Sequence, residues 1–324
     1  MDGLREITDL VLVTEGVCYL KLQYQEGHAV EAHGSLVIDA APKGGAGRNL
    51  TATLTTQSYL AGLWASPTNH LWVGTAAGEV FTNGPVAWPS PRGPVEYAGV
   101  VGAGGQLEPG DWSVTSLPDL PEAGRAPQII EIWGTSDDDV HVGTGGGAMY
   151  HWDGASWRTL LRDSDADVIR MHGTGPTDVW AVGSQGLILH FDGKSWTRLP
   201  YPGDGGSRQA LTGVRCLSPN EVVITSRSGS ILHGSQHGLE VLGEFPTSFY
   251  GISLFQDRLI LAAGLGGVWE LKGNQAEMIR DTFGAVAVHE LGSVLGFLMP
   301  ESVSAFIVYD PDDEEMPWAR VTYS

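Results

Sequence analysis

Basic charge, cysteine and long apolar runs are all scarce in this chain, and each scarcity closes off a class of function. Only 18 of 324 residues are Lys or Arg, against 38 Asp or Glu, for a formal charge of −20. Nucleic-acid affinity rests on neutralising phosphates with Lys and Arg, so no nucleic-acid partner is expected. An anionic membrane surface is disfavoured for the same reason. A basic protein is the partner that such a field steers in. No stretch of about 18 apolar residues is available to span a bilayer. The opening MDGLREITDL also lacks the basic and apolar regions of a signal peptide. The two cysteines, Cys18 and Cys216, lie in strand-like apolar surroundings and read as reduced, buried thiols of a cytoplasmic protein. Catalytic signatures are missing too: no G-x-S-x-G elbow, P-loop, HExxH or Cys-x-x-Cys occurs. The Gly-rich stretches at 145–147 and 264–267 sit between strand patterns, not before a helix, so they are hairpin loops and not phosphate cradles.

What the chain has is glycine, turn residues and a repeat. With 45 Gly, 18 Pro and 42% hydrophobic residues, it favours short strands and turns around a buried core. Residues 129–200 carry one pattern twice, as IIEIWGTSDDDVHVGTGGGAMYHWDGASWRTLL and VIRMHGTGPTDVWAVGSQGLILHFDGKSWTRLP. Gly134-Thr135 matches Gly173-Thr174, and Asp153-Gly154 with Ser156-Trp157 matches Asp192-Gly193 with Ser195-Trp196, at an offset of 39 residues. A period of that length marks solenoids, propellers and arrays. Within each copy the hydrophobic period is two, which draws four strands: 129–135, 140–144, 148–152 and one from Trp157, then 168–174, 179–184, 187–191 and one from Trp196. The Asp-Gly pairs are expected to supply positive φ at both central positions of the last hairpin. Four antiparallel strands repeated about every 40 residues make a propeller blade.

The pattern continues outward with decay. The expected architecture is an all-β, single β-propeller domain over 1–324, with seven four-stranded blades favoured and six the alternative. Their approximate bounds are 1–58, 59–117, 127–161, 166–200, 208–243, 247–281 and 284–324, with an insertion over 85–110. Ring closure leaves no blade face unpacked and only short edges. Trp72, Trp152, Trp180, Phe191 and Trp269 are expected between blades, and Trp157 and Trp196 are expected to be structural.

The block GTxxxDVxxVG…GxxxHxDGxSW resembles the degenerate bacterial propeller repeats related to the BNR and WD40-type families. The resemblance covers two clear blades and several faded ones, and it implies fold more than function, since propellers host enzymes, lectins and scaffolds alike. The Gly-His and Trp-Asp pair that frames a WD40 blade is missing. Asp153-Gly-Ala-Ser-Trp157 and Asp192-Gly-Lys-Ser-Trp196 resemble the tail of the Asp-box of sialidase-like propellers, at a different spacing. Sialidase activity is not implied: it requires a cluster of arginines, and only Arg170 and Arg215 are placed to face inward.

If the first strand of each blade lines a channel, its alternate residues form rings. One ring is Trp64, Trp133, His172, Arg215, Ser253 and His289, joined by Asp9. The ring two residues earlier contains Glu131 and Arg170. Together they suit a small polar ligand or an inserted peptide side chain. Two histidines without a third ligand at a known spacing do not make a metal site, and no cofactor is expected. The carboxylates of 137–139 and 310–315 read as solvated turns, without the ligand pattern of a calcium loop. A protein partner is expected on the loops between second and third strands and between blades, where Asp163, Asp165, Asp167, Tyr201, Arg227, Phe245 and Phe249 gather. There Tyr201, Phe245, Phe249 and Tyr250 would be exposed aromatic anchors. The expected function is therefore a non-catalytic protein-binding scaffold or inhibitor that engages a basic protein. Two alternatives differ in class: a lectin with repeated inter-blade pockets, and a channel hydrolase using His172, His289 and Glu131.

Overall fold

Alternating apolar and polar positions, punctuated by Gly, Asp and Asn turns, fold into antiparallel four-stranded sheets through the described residues. The computed structural model describes residues 4–14, 17–25, 32–39, 51–56, 58–88, 99–101, 107–109, 112–118, 126–162, 166–203, 209–300 and 305–322. Among these residues the only helical element is a 3-10 turn at Ser184–Gly186, and no helix is long and apolar enough to cross a membrane.

Six blades follow one another. Blade I is Leu60–Ala65, Leu71–Thr75, Glu79–Thr82 and Ser113–Ser116. Blade II is Ile129–Ser136, Asp139–Thr144, Ala148–Trp152 and Trp157–Arg162, and blade III is Val168–Gly175, Asp178–Gly183, Ile188–Phe191 and Trp196–Arg198. Blade IV is Leu211–Ser218, Glu221–Ser226, Ser230–Ser235 and Gly238–Glu244. Blade V is Gly251–Phe255, Arg258–Ala262, Val268–Lys272 and Gln275–Arg280, and blade VI is Ala287–Leu291, Val294–Leu298, Ala305–Tyr309 and Trp318–Thr322.

The expectation of seven like blades is corrected here. Six blades carry the short-strand repeat, as in the alternative count, and the four-stranded sheet ahead of them is built differently. Its strands, Leu4–Thr14, Val17–Gln25, Ala32–Asp39 and Thr51–Thr56, run to 11 residues, where no strand of the six blades exceeds 8. This N-terminal sheet fills the place between blades VI and I: Leu4–Thr14 lies against both Leu60–Ala65 and Ala287–Leu291. Leu10 packs with Leu291, Val294 and Phe306 on one side, and Leu54 packs with Leu60, Leu71 and Phe81 on the other. The ring is closed by seven four-stranded sheets, six of them repeats.

The core lies between sheets, because one four-stranded sheet has two faces to cover. Trp72 and Val80 of blade I share a cluster with Ile129, Val140, Tyr150 and Trp152 of blade II. Trp180 and Ile188 of blade III pack with Leu211, Val222 and Leu232 of blade IV. Trp72, Trp152, Trp180 and Phe191 are buried, while Trp269 is half-buried. The insertion begins by joining this core, with Trp88 edge-on to Trp72 and Trp152 and donating its Nε1–H to Ser113 Oγ at 2.9 Å. Within it, 99–101 and 107–109 pair as a two-stranded sheet.

Two turn details revise the sequence expectation. In the last hairpins of blades II and III only Gly154 and Gly193 take positive φ, at 81° and 91°. Asp153 and Asp192 act through their carboxylates instead, each accepting the N–H groups two and three residues on at 2.8–3.1 Å. The blades also approach closely at missing side chains. A Cβ on Gly143 of blade II would sit 2.4 Å from Val168 of blade III, and one on Gly74 would sit 2.5 Å from Ile129. Gly143→Ala should therefore cost about 1–3 kcal/mol by overpacking. Gly175→Ala, with nothing within 4 Å of the added Cβ, should stay within about 0.5 kcal/mol of wild type. Urea unfolding midpoints of the two variants check the contrast.

Candidate functional site

The first strand of each blade touches the first strand of the next, from Leu60–Ala65 round to Ala287–Leu291, and Leu4–Thr14 completes the circle. These seven strands enclose a cavity of about 500 Å³. It is lined by Trp64, Glu131, Trp133, Arg170, His172, Arg215 and His289, with Asp9, Ser253 and Tyr250. All seven residues expected in the channel stand around one cavity. Local strand geometry explains this: alternate side chains of an innermost strand face the axis, and the strands keep one register around it.

The charges in the channel are matched in pairs. Arg170 Nη1 lies 3.3 Å from Glu131 Oε2 and also donates to the Ile169 carbonyl at 3.0 Å. Arg215 Nη2 lies 3.2 Å from Glu290 Oε2. Asp9 faces Lys21 Nζ at 3.5 Å and His289 Nε2 at 3.3 Å, and Lys21 donates to the Ala61 carbonyl of blade I. Burial works against the Asp9 carboxylate, but Lys21, His289 and Arg170 outweigh it and hold its pKa below the ordinary value. For Glu131 burial wins over Arg170 and lifts the carboxyl to about 7. Burial likewise lowers His289, against the pull of Asp9.

His172 is spoken for. The backbone N–H of Cys216 donates to its Nδ1 at 3.2 Å, and Cys216 Sγ donates to the His172 carbonyl at 3.3 Å. Burial, with the Arg215 charge behind it, takes the imidazole down to about 3, so it stays neutral. The bond joins blades III and IV. His172 and Glu131, two of the three groups expected of a channel hydrolase, thus hold their neighbours in place, and His289 stands against Asp9. The thiol of Cys216 is buried, and Cys18 lies in the second strand of the N-terminal sheet.

The expected partner residues divide. Asp163 and Asp165 lie outside the described residues. Asp167 is exposed and accepts the Gly146 N–H at 3.0 Å, which ties a loop between second and third strands to the next blade connection. Arg227 is exposed, with its guanidinium 5.0 Å from the Tyr250 ring centre. Tyr201 is half-buried and donates to Gln209 Oε1 at 2.9 Å. Phe249 corrects the expectation of exposed aromatics: it is 0% exposed, packed edge-on to Phe245 and Trp269. Its N–H bonds to the Ser226 carbonyl at 3.1 Å, which turns the ring into the space between blades IV and V. Phe245 is half-buried in the same cluster.

Sequence reasoning missed a set of polar pairs spaced twelve residues apart. They are Asp139–His151 at 2.6 Å, Asp178–His190 at 2.9 Å, Glu221–His233 at 3.1 Å and, with the signs exchanged, Arg258–Glu270 at 2.9 Å. Each joins the start of a second strand to the third strand beside it. The signal was present, since Asp139 and His151 recur as Asp178 and His190 at the same offset as the rest of the duplicate.

No family model matches the chain, and no curated protein matches it in sequence. Its shape is shared widely. YCF48 from Cyanidioschyzon merolae superposes with a TM-score of 0.61 at 12% identity, over 97% of this chain and 98% of that one. A structure of YCF48 bound to D1 peptide gives 0.57 at 12% identity, over 95% and 89%. The WD40 propeller domain of Doa1 gives 0.59 at 12%, over 92% and 91%. At such identities the likeness establishes the propeller fold.

The channel yields a pH prediction. A carboxyl raised from its ordinary value to about 7 binds its proton more tightly in the folded state, so stability falls as pH rises from about 4.5 to about 7. Glu131→Gln removes this slope. The wild type should lose up to about 3 kcal/mol relative to the variant across that window, read from chemical denaturation at pH 4.5, 6 and 8. Parallel pH profiles for the two proteins would refute the buried-carboxyl assignment.

Proposed function

We propose that this chain is a non-catalytic, cytoplasmic binding propeller that holds a basic protein segment against one end of its ring. The observation that carries this reading is the run of exposed carboxylates in the last hairpin of blade VI. Antiparallel order within each blade puts the turns after first and third strands at one end, and the remaining loops at the other. At the first end the exposed acids among the described residues are Asp138, Asp192, Glu221, Asp257, Glu290 and the run Asp312–Glu315. Met316, 61% exposed, follows that run directly and offers a flexible apolar contact beside the charge. Such a field raises the encounter rate with a cationic partner and repels acidic ones.

The opposite end, with Asp167, Tyr201, Arg227 and Phe245, carries mixed charge and half-buried rings, which suits a supporting contact more than an anchor. The channel is a second, smaller place for a ligand group. Its formal charges already have partners, and the buried Nε of Arg215 is without one, which fits a small acceptor-bearing group or a peptide side chain. That YCF48 is seen with a peptide bound supports the use of such a ring for holding a chain. The Asp-Gly-x-Ser-Trp hairpins of blades II and III keep the kinship with bacterial BNR-type repeats as the preferred ancestry.

Affinity capture with the tagged chain at about 0.1 M and about 1 M salt tests the reading, because the screening length contracts between them from about 10 Å to about 3 Å. A basic protein should be retained at the lower salt, released at the higher, and lost when Asp312, Asp313, Glu314 and Glu315 are all changed to Ser. Retention of an acidic protein, or of none, would sink it.

A further inference from the structure

Blades I, II and III solve one packing problem in two ways. In blade I, Trp72 donates its indole N–H to Asp137 Oδ1 at 2.9 Å, and His70 Nδ1 meets Oδ2 of the same carboxylate at 2.6 Å. In blade III, Trp180 donates to Asp178 Oδ1 at 3.1 Å, His190 meets that oxygen at 2.9 Å, and Thr174 donates to Oδ2 at 2.5 Å. Both carboxylates sit among a hydroxyl, an imidazole and an indole.

Blade II keeps the carboxylate, the hydroxyl and the imidazole, as Asp139, Thr135 and His151. At the indole position it has His141, which aligns with Trp180 and pairs with His151 across the strands. The side chain of His141 is 0% exposed, walled by Phe191 and Trp196 with ring centres 4.9 and 5.5 Å away. Neither of its ring nitrogens has a hydrogen-bond partner. Its Nε2 lies 3.6 Å from Asp139 Oδ1, beyond hydrogen-bond reach. A buried imidazole with two idle nitrogens is a costly choice where an indole would have satisfied the carboxylate.

We propose that Asp139, His141 and His151 form a binding site for a divalent cation of the zinc class. The ligand atoms of the three residues all lie within 4.8 Å of one another. Bonds of about 2.0 Å in a tetrahedron set ligand atoms roughly 3.3 Å apart. The two separations from Asp139 Oδ1, 2.6 Å to His151 and 3.6 Å to His141, bracket that value. Two imidazoles and one carboxylate suit zinc or its transition-metal neighbours more than calcium or magnesium. Thr135 donates to the other oxygen of Asp139 and fixes the carboxylate from behind, as supporting groups do at metal sites. Asp139 and His151 are half-buried, so a water can reach the fourth position from their side. The ion would clamp the second and third strands of blade II; in blade III His190 makes that tie to Asp178, and Trp180 supplies the remaining donor to the carboxylate.

The test uses the full chain without a histidine tag, first stripped with a chelator. Zinc titration by calorimetry should give one tight site per chain, and Co²⁺ should give the visible absorption of a four-coordinate nitrogen–oxygen site. His141→Phe fills the apolar seat and His151→Gln leaves the wall intact; each should weaken zinc binding by at least about tenfold and abolish the Co²⁺ band. Zinc should also raise the thermal midpoint of the wild type and not that of either variant. Absence of binding by the wild type overturns the site. So does binding of unchanged affinity in His151→Gln, which would place the ion on other histidines.

Discussion

The ring exists because successive sheets can come close enough for a side chain of one to enter the sheet before it. Val168 enters where Gly143 has no Cβ, and Ile129 enters where Gly74 has none. Indole rings close the gap in the other direction nearer the axis, with Trp64 covering Gly134 of the following blade and Trp133 covering Gly173. Each entering group comes from a first strand, the strand that also lines the channel. One constraint therefore sets both the inter-blade core and the channel wall. A substitution that pushes two blades apart also moves the residues facing the cavity, so stability and site geometry are coupled.

The second constraint is polar. A propeller exposes many turns, and each turn leaves backbone N–H groups needing acceptors. The chain meets that need with carboxylates: Asp153 and Asp192 in the last hairpins, Asp310 and Asp313 in the final loop. The pKa of Asp153 lies below its ordinary value, first because the Ser156 N–H donates to it. Inside the sheets, the pairs twelve residues apart tie second strands to third. In blade V the polarity is reversed, with Arg258 gripping both oxygens of Glu270. The spacing, not the sign, is what the fold preserves.

The channel was legible because it needs only the repeat offset and the period of two: once Gly134 is laid on Gly173, Trp133 and His172 must share a layer. Its electrostatics were not legible. Glu131 and Arg170 stand 39 residues apart in sequence and occupy the same layer of adjacent strands, so they come within 3.3 Å of one another, and no local pattern announces it. The N-terminal sheet could be cut into four strands from alternation, but its longer strands follow no repeat letters, which is why the count of like blades fell to six. Phe249 misled for a related reason. It follows Pro246, Thr247 and Ser248 in a loop, and composition there suggests exposure; backbone bonds to Ser226 and to the Thr212 hydroxyl fold the ring inward.

Seen this way, the charge of −20 separates into two populations. One is architectural: Asp137, Asp139, Asp153, Asp178, Asp192 and Glu270 accept bonds that hold turns and strands, and their acidity follows from the fold. Among the described residues, Asp138, Glu314 and Glu315 accept no turn or strand bond of this kind, yet they are exposed at one end of the ring, the last two beside Met316. Mutual repulsion among such groups costs stability. Acidity that the architecture does not require is thus a separate population from the carboxylates that hold turns and strands.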